Sequence, residues 1–129
     1  MQEIIKVKIN KANLRGVNLN ESNFKRANLI GADLREANLK ESYFKGVNFR
    51  EANLEGANIE GANLKEASLK WTNLRKTNLK GADLREANLI GIDLREANLR
   101  KANLDGANLE EANLRGANLE GATLEKLTI

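Results

Sequence analysis

The chain has 129 residues with no Cys, His or Pro, and its 21 Lys and Arg against 18 Asp and Glu leave a net charge of +3. These absences exclude disulfides, thiol and imidazole metal ligands, and the side chain that most often serves as a general base. Aromatic residues are only 4% of the chain, so a large core of mixed side chains is not expected either.

The first ten residues, MQEIIKVKIN, lack the 7–15-residue apolar stretch of a secretory signal. No later segment approaches the ~20 apolar residues that span a bilayer. The expectation is a cytoplasmic protein with no membrane association, forming one domain over residues 1–129 with its repeats starting near residue 7.

From Ile9 to Ile129 every fifth residue is a large hydrophobe: 19 Leu, 3 Phe (Phe24, Phe44, Phe49) and 3 Ile in 25 positions. Two residues before each stands a smaller one, most often Ala. The residue between them is Asn or Asp in 20 of 25 cases, so the unit reads A-(N/D)-L-x-x. A period of five matches neither the 3.6 of a helix nor the 2 of a strand. Within the unit, however, the two apolar residues are two apart, on the same side of an extended piece. Each unit is therefore a short extended stretch followed by a corner, and such units bury their apolar face only by stacking. All ten glycines stand two residues after a large hydrophobe. That is the positive-φ position of a type II turn running, for example, from Leu14 to Val17. Units with Glu36, Glu41, Glu51 or Lys76 at that place are expected to turn by another geometry.

With its A(D/N)LXX signature over Val7–Ile129, the sequence resembles the pentapeptide-repeat proteins, a family abundant in cyanobacteria. The resemblance implies an all-β fold, a right-handed quadrilateral β-helix with four units, or 20 residues, per coil. It gives about six coils and a rod of about 30 Å. The terminal residues themselves are read as offering no capping helix at either terminus. Positions 20 apart then form ladders: Phe24 under Phe44 with Phe49 on the next face, and Ser22 under Ser42. The larger residues Val47, Thr72, Thr77 and Ile92 at the small position are expected to bulge a wall locally. The Asn/Asp column is read as structural, its short side chains bonding nearby backbone at the bends.

No catalytic constellation, phosphate loop, cofactor motif or metal-ligand spacing is present, so no enzyme is expected, and no cofactor. On one face the residues after the large hydrophobes run Arg15, Arg35, Glu55, Arg75, Arg95, Arg115. Such a row suits phosphates, but Asp33, Glu36, Asp93 and Glu96 flank it. An ion-paired wall is the preferred reading, and nucleic acid is the alternative rather than the expected partner. Dipeptides such as Arg35-Glu36, Arg85-Glu86 and Arg95-Glu96 read as solvated charge pairs.

A second face carries Asn10, Ile30, Arg50, Lys70, Ile90 and Glu110, beside a corner line of Lys11, Gly31, Glu51, Trp71, Gly91 and Glu111. Ile30 and Ile90 are the only apolar residues at their repeat position and Trp71 is the only Trp. Gly91, one coil on, leaves room for the indole. Ile30, Arg50, Lys70, Trp71 and Ile90 are thus the candidate partner-binding residues of a non-enzymatic scaffold for protein–protein interaction. The resemblance also implies an alternative, since fluoroquinolone-resistance members imitate duplex DNA and bind gyrase. A rod of charge +3 fits that poorly, because duplex DNA carries about one negative charge per 1.7 Å. At the C-terminal coil Leu114, Leu119, Leu124, Leu127 and Ile129 form a candidate homodimer interface. Leu104–Glu125 has a net charge of −4 and Met1–Arg26 one of +4, which sets a two-fold C-terminal dimer against head-to-tail association.

Overall fold

A computed structural model describes residues 11–129. Val7, Ile9 and Asn10, counted above at the start of the rod, lie outside the described residues. The rest forms a right-handed quadrilateral β-helix, with no helix among the described residues. Single-residue parallel pairings join positions 20 apart without interruption, from Asn13 with Asp33 to Asn108 with Thr128. Four units therefore close one coil. Four walls result, named here by their large residues: wall 1 from Leu14 and Leu34, wall 2 from Leu19 and Leu39, wall 3 from Phe24 and Phe44, wall 4 from Leu29 and Phe49.

A unit this short holds because nearly all of its backbone donors are used. Around Leu14, the Leu14 N–H donates to Asp33 O at 2.7 Å and the Gly16 N–H to Arg35 O at 2.9 Å, both one coil on. The Val17 N–H closes the turn on Leu14 O at 3.2 Å, and the Asp33 N–H reaches back to Ala12 O at 2.8 Å. The remaining donor, Arg15 N–H, is taken by the Asn13 side-chain oxygen at 3.3 Å. That last bond recurs along the rod, for example Asn53 Oδ1 from Glu55 and Asn113 Oδ1 from Arg115, both at 3.1 Å. The Asn/Asp column is thus the structural element expected of it.

Inside, every large residue from Phe24 to Leu109 is at most 5% exposed. The small position between them is buried too, and the residue after the large one is half-buried or exposed. The ring centroids of Phe24 and Phe44 are 5.1 Å apart and nearly parallel, and Phe49 tilts against Phe44 at the same distance. Ser42 donates its hydroxyl to Leu19 O at 2.8 Å and accepts from the Ser22 N–H at 3.3 Å.

Two expectations are corrected. The wall does not bulge at Val47, Thr72, Thr77 or Ile92: the carbonyls of all four accept their ladder bonds at 2.9–3.0 Å. Val47 lies between Ala27 and Ala67, and Thr77 between Ala57 and Ala97, so small neighbours absorb the extra volume. The Thr72 and Thr77 hydroxyls donate to Phe49 O and Leu74 O, which leaves no buried hydroxyl unpaired there. The second correction concerns the corners. All ten glycines have φ of 66–76°, as the type II turn requires, but so do the Glu, Lys, Arg and Trp corners, at 56–61°. Glu36, Glu41, Glu51 and Lys76 do not turn by another geometry. The same turn bond closes units with and without glycine, Ala37 N–H to Leu34 O and Ala57 N–H to Leu54 O. A left-handed residue other than Gly costs about 1–2 kcal/mol. The ladder overrides it, because a corner turning any other way would move the next unit off its wall.

Candidate functional site

The corner conformation decides where its side chain goes. At φ near 60° the side chain leans one coil forward, onto the next corner of its column. Cγ of Lys11 lies beside Gly31, that of Arg26 beside Gly46 and that of Lys101 beside Gly121, each 3.2–3.3 Å from where a Cβ would stand. Trp71, at φ 61°, obeys the same rule. Its six-membered ring lies across Gly91, where a Cβ would collide with Cε3, Cζ3 and Cδ2. The indole is therefore laid against backbone on one side and remains 46% exposed. Among the described residues it is the most exposed large hydrophobe before the last coil.

Of the other candidates, Ile90 is half-buried next to Gly91, and Lys70 is half-buried next to Trp71. Arg50 is exposed, with Nε 3.8 Å from a Glu51 carboxylate oxygen. Ile30 is half-buried but three coils below Ile90, about 14 Å away. The structure thus gathers Lys70, Trp71, Ile90 and Gly91 into one place and leaves Ile30 outside it. It also adds two residues not singled out from the sequence: Glu51 and Glu111, one coil to either side of Trp71 and Gly91 on the same corner column. Their signal was their place in that column.

Four of the five arginines in the wall 1 row are held by neighbouring carboxylates. Arg35 Nε and Nη2 donate to both Asp33 carboxylate oxygens at 2.8 and 2.7 Å, and Arg95 does the same to Asp93 at 2.8 and 2.6 Å. Arg15 reaches Glu36 at 3.3 Å, and Arg75 lies 3.7 Å from Glu55 and 3.5 Å from Glu96. On wall 3, Arg85 grips Asp83 at 2.9 and 2.7 Å. The dipeptide reading is corrected here. Arg35, Arg85 and Arg95 pair with the Asp two residues before, not with Glu36, Glu86 or Glu96 one residue after. Residues two apart share the outer side of an extended unit, whereas the next residue has already gone round the corner. The sequence signal was D-L-R, which occurs at these three places. The arginine hydrogen bonds hold the Asp33 carboxyl down at about 2 and lower those of Asp83 and Asp93 as well.

On the corner between walls 2 and 3, Gly81 follows Gly61, so no side chain lies over it. A shallow depression results there, bounded by Lys40, Glu41, Glu60, Lys80 and Lys101. In the last coil Leu114, Leu119 and Leu127 are half-buried, Leu124 is 42% exposed and Ile129 is 89% exposed. Among the described residues no group of His, Cys, Asp or Glu could hold a metal ion, and no helix is long and apolar enough to cross a membrane.

With the five-residue unit, the 20-residue coil and the left-handed corners in place, comparison with known proteins is decisive. The pentapeptide-repeat family matches in 8 copies, over residues 8–46, 27–65, 42–81, 62–100 and 92–126. The chain is a pentapeptide-repeat protein. Among solved structures it is similar to the pentapeptide repeat protein Rfr23 of the cyanobacterium Cyanothece 51142. The two are 32% identical over 90% of each chain, with a TM-score of 0.72. A pentapeptide repeat protein from the Arabidopsis thaliana thylakoid lumen is 30% identical over 84% of this chain and 66% of its own, with a TM-score of 0.50. HetL of Nostoc sp. strain PCC 7120, involved in heterocyst differentiation regulation, is 31% identical over 92% of this chain and 68% of its own, with a TM-score of 0.43. The comparison with curated proteins found no match. In this pentapeptide-repeat protein, then, the repeat accounts for the core, the corners and the Asn/Asp column. What departs from the repeat lies in the side chains carried at its corners: Trp71 over Gly91, and the depression over Gly81.

Proposed function

We propose that this pentapeptide-repeat protein is a non-enzymatic, rigid scaffold for protein–protein recognition, and that the Trp71 corner is where a partner docks. One observation carries the reading: the only indole of the chain is laid flat on Gly91 and left 46% exposed beside Ile90. Rigid, half-buried aromatic side chains with a polar surround are what binding hot spots are made of. Little entropy is lost on binding when the anchor is already fixed. Internal pairing of Arg15, Arg35, Arg75 and Arg95 speaks against the nucleic-acid alternative, since each phosphate contact would have to displace a carboxylate. The test is capture from lysate with tagged wild type, Trp71→Ala and Lys40→Ala. A partner retained by wild type and Lys40→Ala but lost with Trp71→Ala supports the site, and equal capture by all three rejects it.

Self-association is a second reading, favoured by the exposure of Leu124 and Ile129 beside Leu114, Leu119 and Leu127. A two-fold contact there brings acidic residues such as Glu110, Glu111 and Glu120 together, so it should hold or strengthen as salt screens them. Light scattering at low and high salt measures this. A single 14.3 kDa species at high protein concentration removes it.

A further inference from the structure

The indole offers one open face, and its surroundings say what should cover it. Along the corner column Trp71 and Gly91 are bracketed by Glu51 and Glu111, with Glu110 beside the latter. All three glutamates are exposed. Corners in one column are about 4.8 Å apart, so Glu51, leaning forward, stands behind the ring and the Glu111 corner stands one coil ahead of the glycine that the ring covers. The cations nearby do not occupy the place. Arg50 is turned to Glu51. Among the described residues the aromatic contacts are those of the phenylalanines, and no ammonium or guanidinium sits on the indole. An apolar partner group would cover the ring but would also have to strip water from Glu111 with nothing to pair it, and from Glu51 with only Arg50 beside it. A planar cation answers both needs. It stacks on the π face, which attracts positive charge, and its N–H donors extend past the ring edge to the carboxylates. Arginine suits this better than lysine, since a flat guanidinium can stack and bond in its own plane at once.

We infer that the Trp71 corner recognises an arginine side chain of a basic partner segment, seated on the indole between Glu51 and Glu111. The inference deepens the docking reading above and rests on it. Lys70 and Arg50 set its limit, because a second cation beside the first would meet them. The partner segment should therefore carry one arginine at this point rather than a run.

Because Trp71 is the only tryptophan, indole fluorescence reports this site and no other. The probe is a capped Gly-Ser-Arg-Ser-Gly peptide, titrated beside its citrulline counterpart, which has the same shape and no charge. The expected result is a saturable change in emission with the arginine peptide, weaker by about fivefold or more with citrulline. Glu111→Gln and high salt should each weaken the arginine peptide and leave the citrulline peptide unchanged. Circular dichroism confirms that Glu111→Gln is folded. Equal binding of the two peptides, or binding of neither, overturns the inference. Partner capture that still depends on Trp71 would then leave the docking site standing as an apolar anchor. Capture independent of Trp71 would remove the docking site itself.

Discussion

Wall 1 and the Trp71 corner adjoin each other, are built from the same five-residue unit, and present their side chains in opposite ways. On wall 1 most arginines are consumed by carboxylates of the wall or its corner: Asp33 with Arg35, Asp93 with Arg95, Glu36 with Arg15. At the corner the aromatic face is fixed in place but left without a partner. A row of like residues on a repeat surface therefore says less than a single residue that breaks the row. Most of the regular positions find a complement because the repeat places a carboxylate near each of them. A residue that occurs once has no such built-in complement.

The comparison fails if the rod itself is misassigned, and the largest effect tests that. Leu64→Ala, at mid-rod, should lower stability by roughly 2–5 kcal/mol, as for other buried leucines, and Leu64→Asp should not fold. A Leu64→Asp protein with a wild-type melting curve would break the register of both regions. Next is Gly91→Ala, which sharpens the corner half. It should cost about 1–2 kcal/mol for a left-handed residue, and its methyl should lift the indole off the backbone. A red-shifted emission is expected. Unchanged emission would mean that the ring does not lie on Gly91.

The third effect concerns wall 1 and Asp83 on wall 3. A carboxyl whose folded value is lowered contributes stability above its unfolded value near 4 and loses it as the pH falls toward 2. Wild type should therefore lose melting temperature between about pH 4 and pH 2. The triple variant Asp33→Asn, Asp83→Asn, Asp93→Asn keeps the side-chain oxygen for the turn but not the charge. It should be nearly as stable at pH 7, since these pairs are substantially exposed. Its acid slope should be shallower than that of wild type, and equal slopes would show that the pairs do not act on folding. The smallest expected effect on stability is that of Trp71→Ala, within about 0.5 kcal/mol of wild type, although it should abolish partner capture. A large loss of stability would place Trp71 among the structural residues of the corner.

The sequence made the interior legible because a fixed period of large residues admits so few arrangements. Stacking of Phe24 on Phe44, the Ser22–Ser42 ladder and the Trp71–Gly91 contact all followed once 20 residues closed a coil. Corners at Glu36, Glu41 and Lys76 were misread because local preference was weighed without the ladder that overrides it. The pairing of Arg35 with Asp33 was missed because neighbours in sequence were taken for neighbours in space. Glu51 and Glu111 stand on the same corner line in the sequence, but only the forward lean of the corner side chains ties that line to the open face of Trp71.

The interior repeats every 5 residues, whereas the surface repeats every 20, and the two periods are independent. A single inserted unit leaves each Leu on a Leu, yet everything after it is rotated by a quarter turn against everything before it. Insertion of five residues after Thr77 would bring Glu86, in place of Gly91, above Trp71. Melting should change little, while indole emission should shift and arginine-peptide binding should be lost. A melting curve that collapses on such an insertion would show that the two periods are coupled after all. If they are independent, a lineage of such chains can reshuffle its recognition surfaces as a combination lock is dialled, one click per unit, with the mechanism inside never opened.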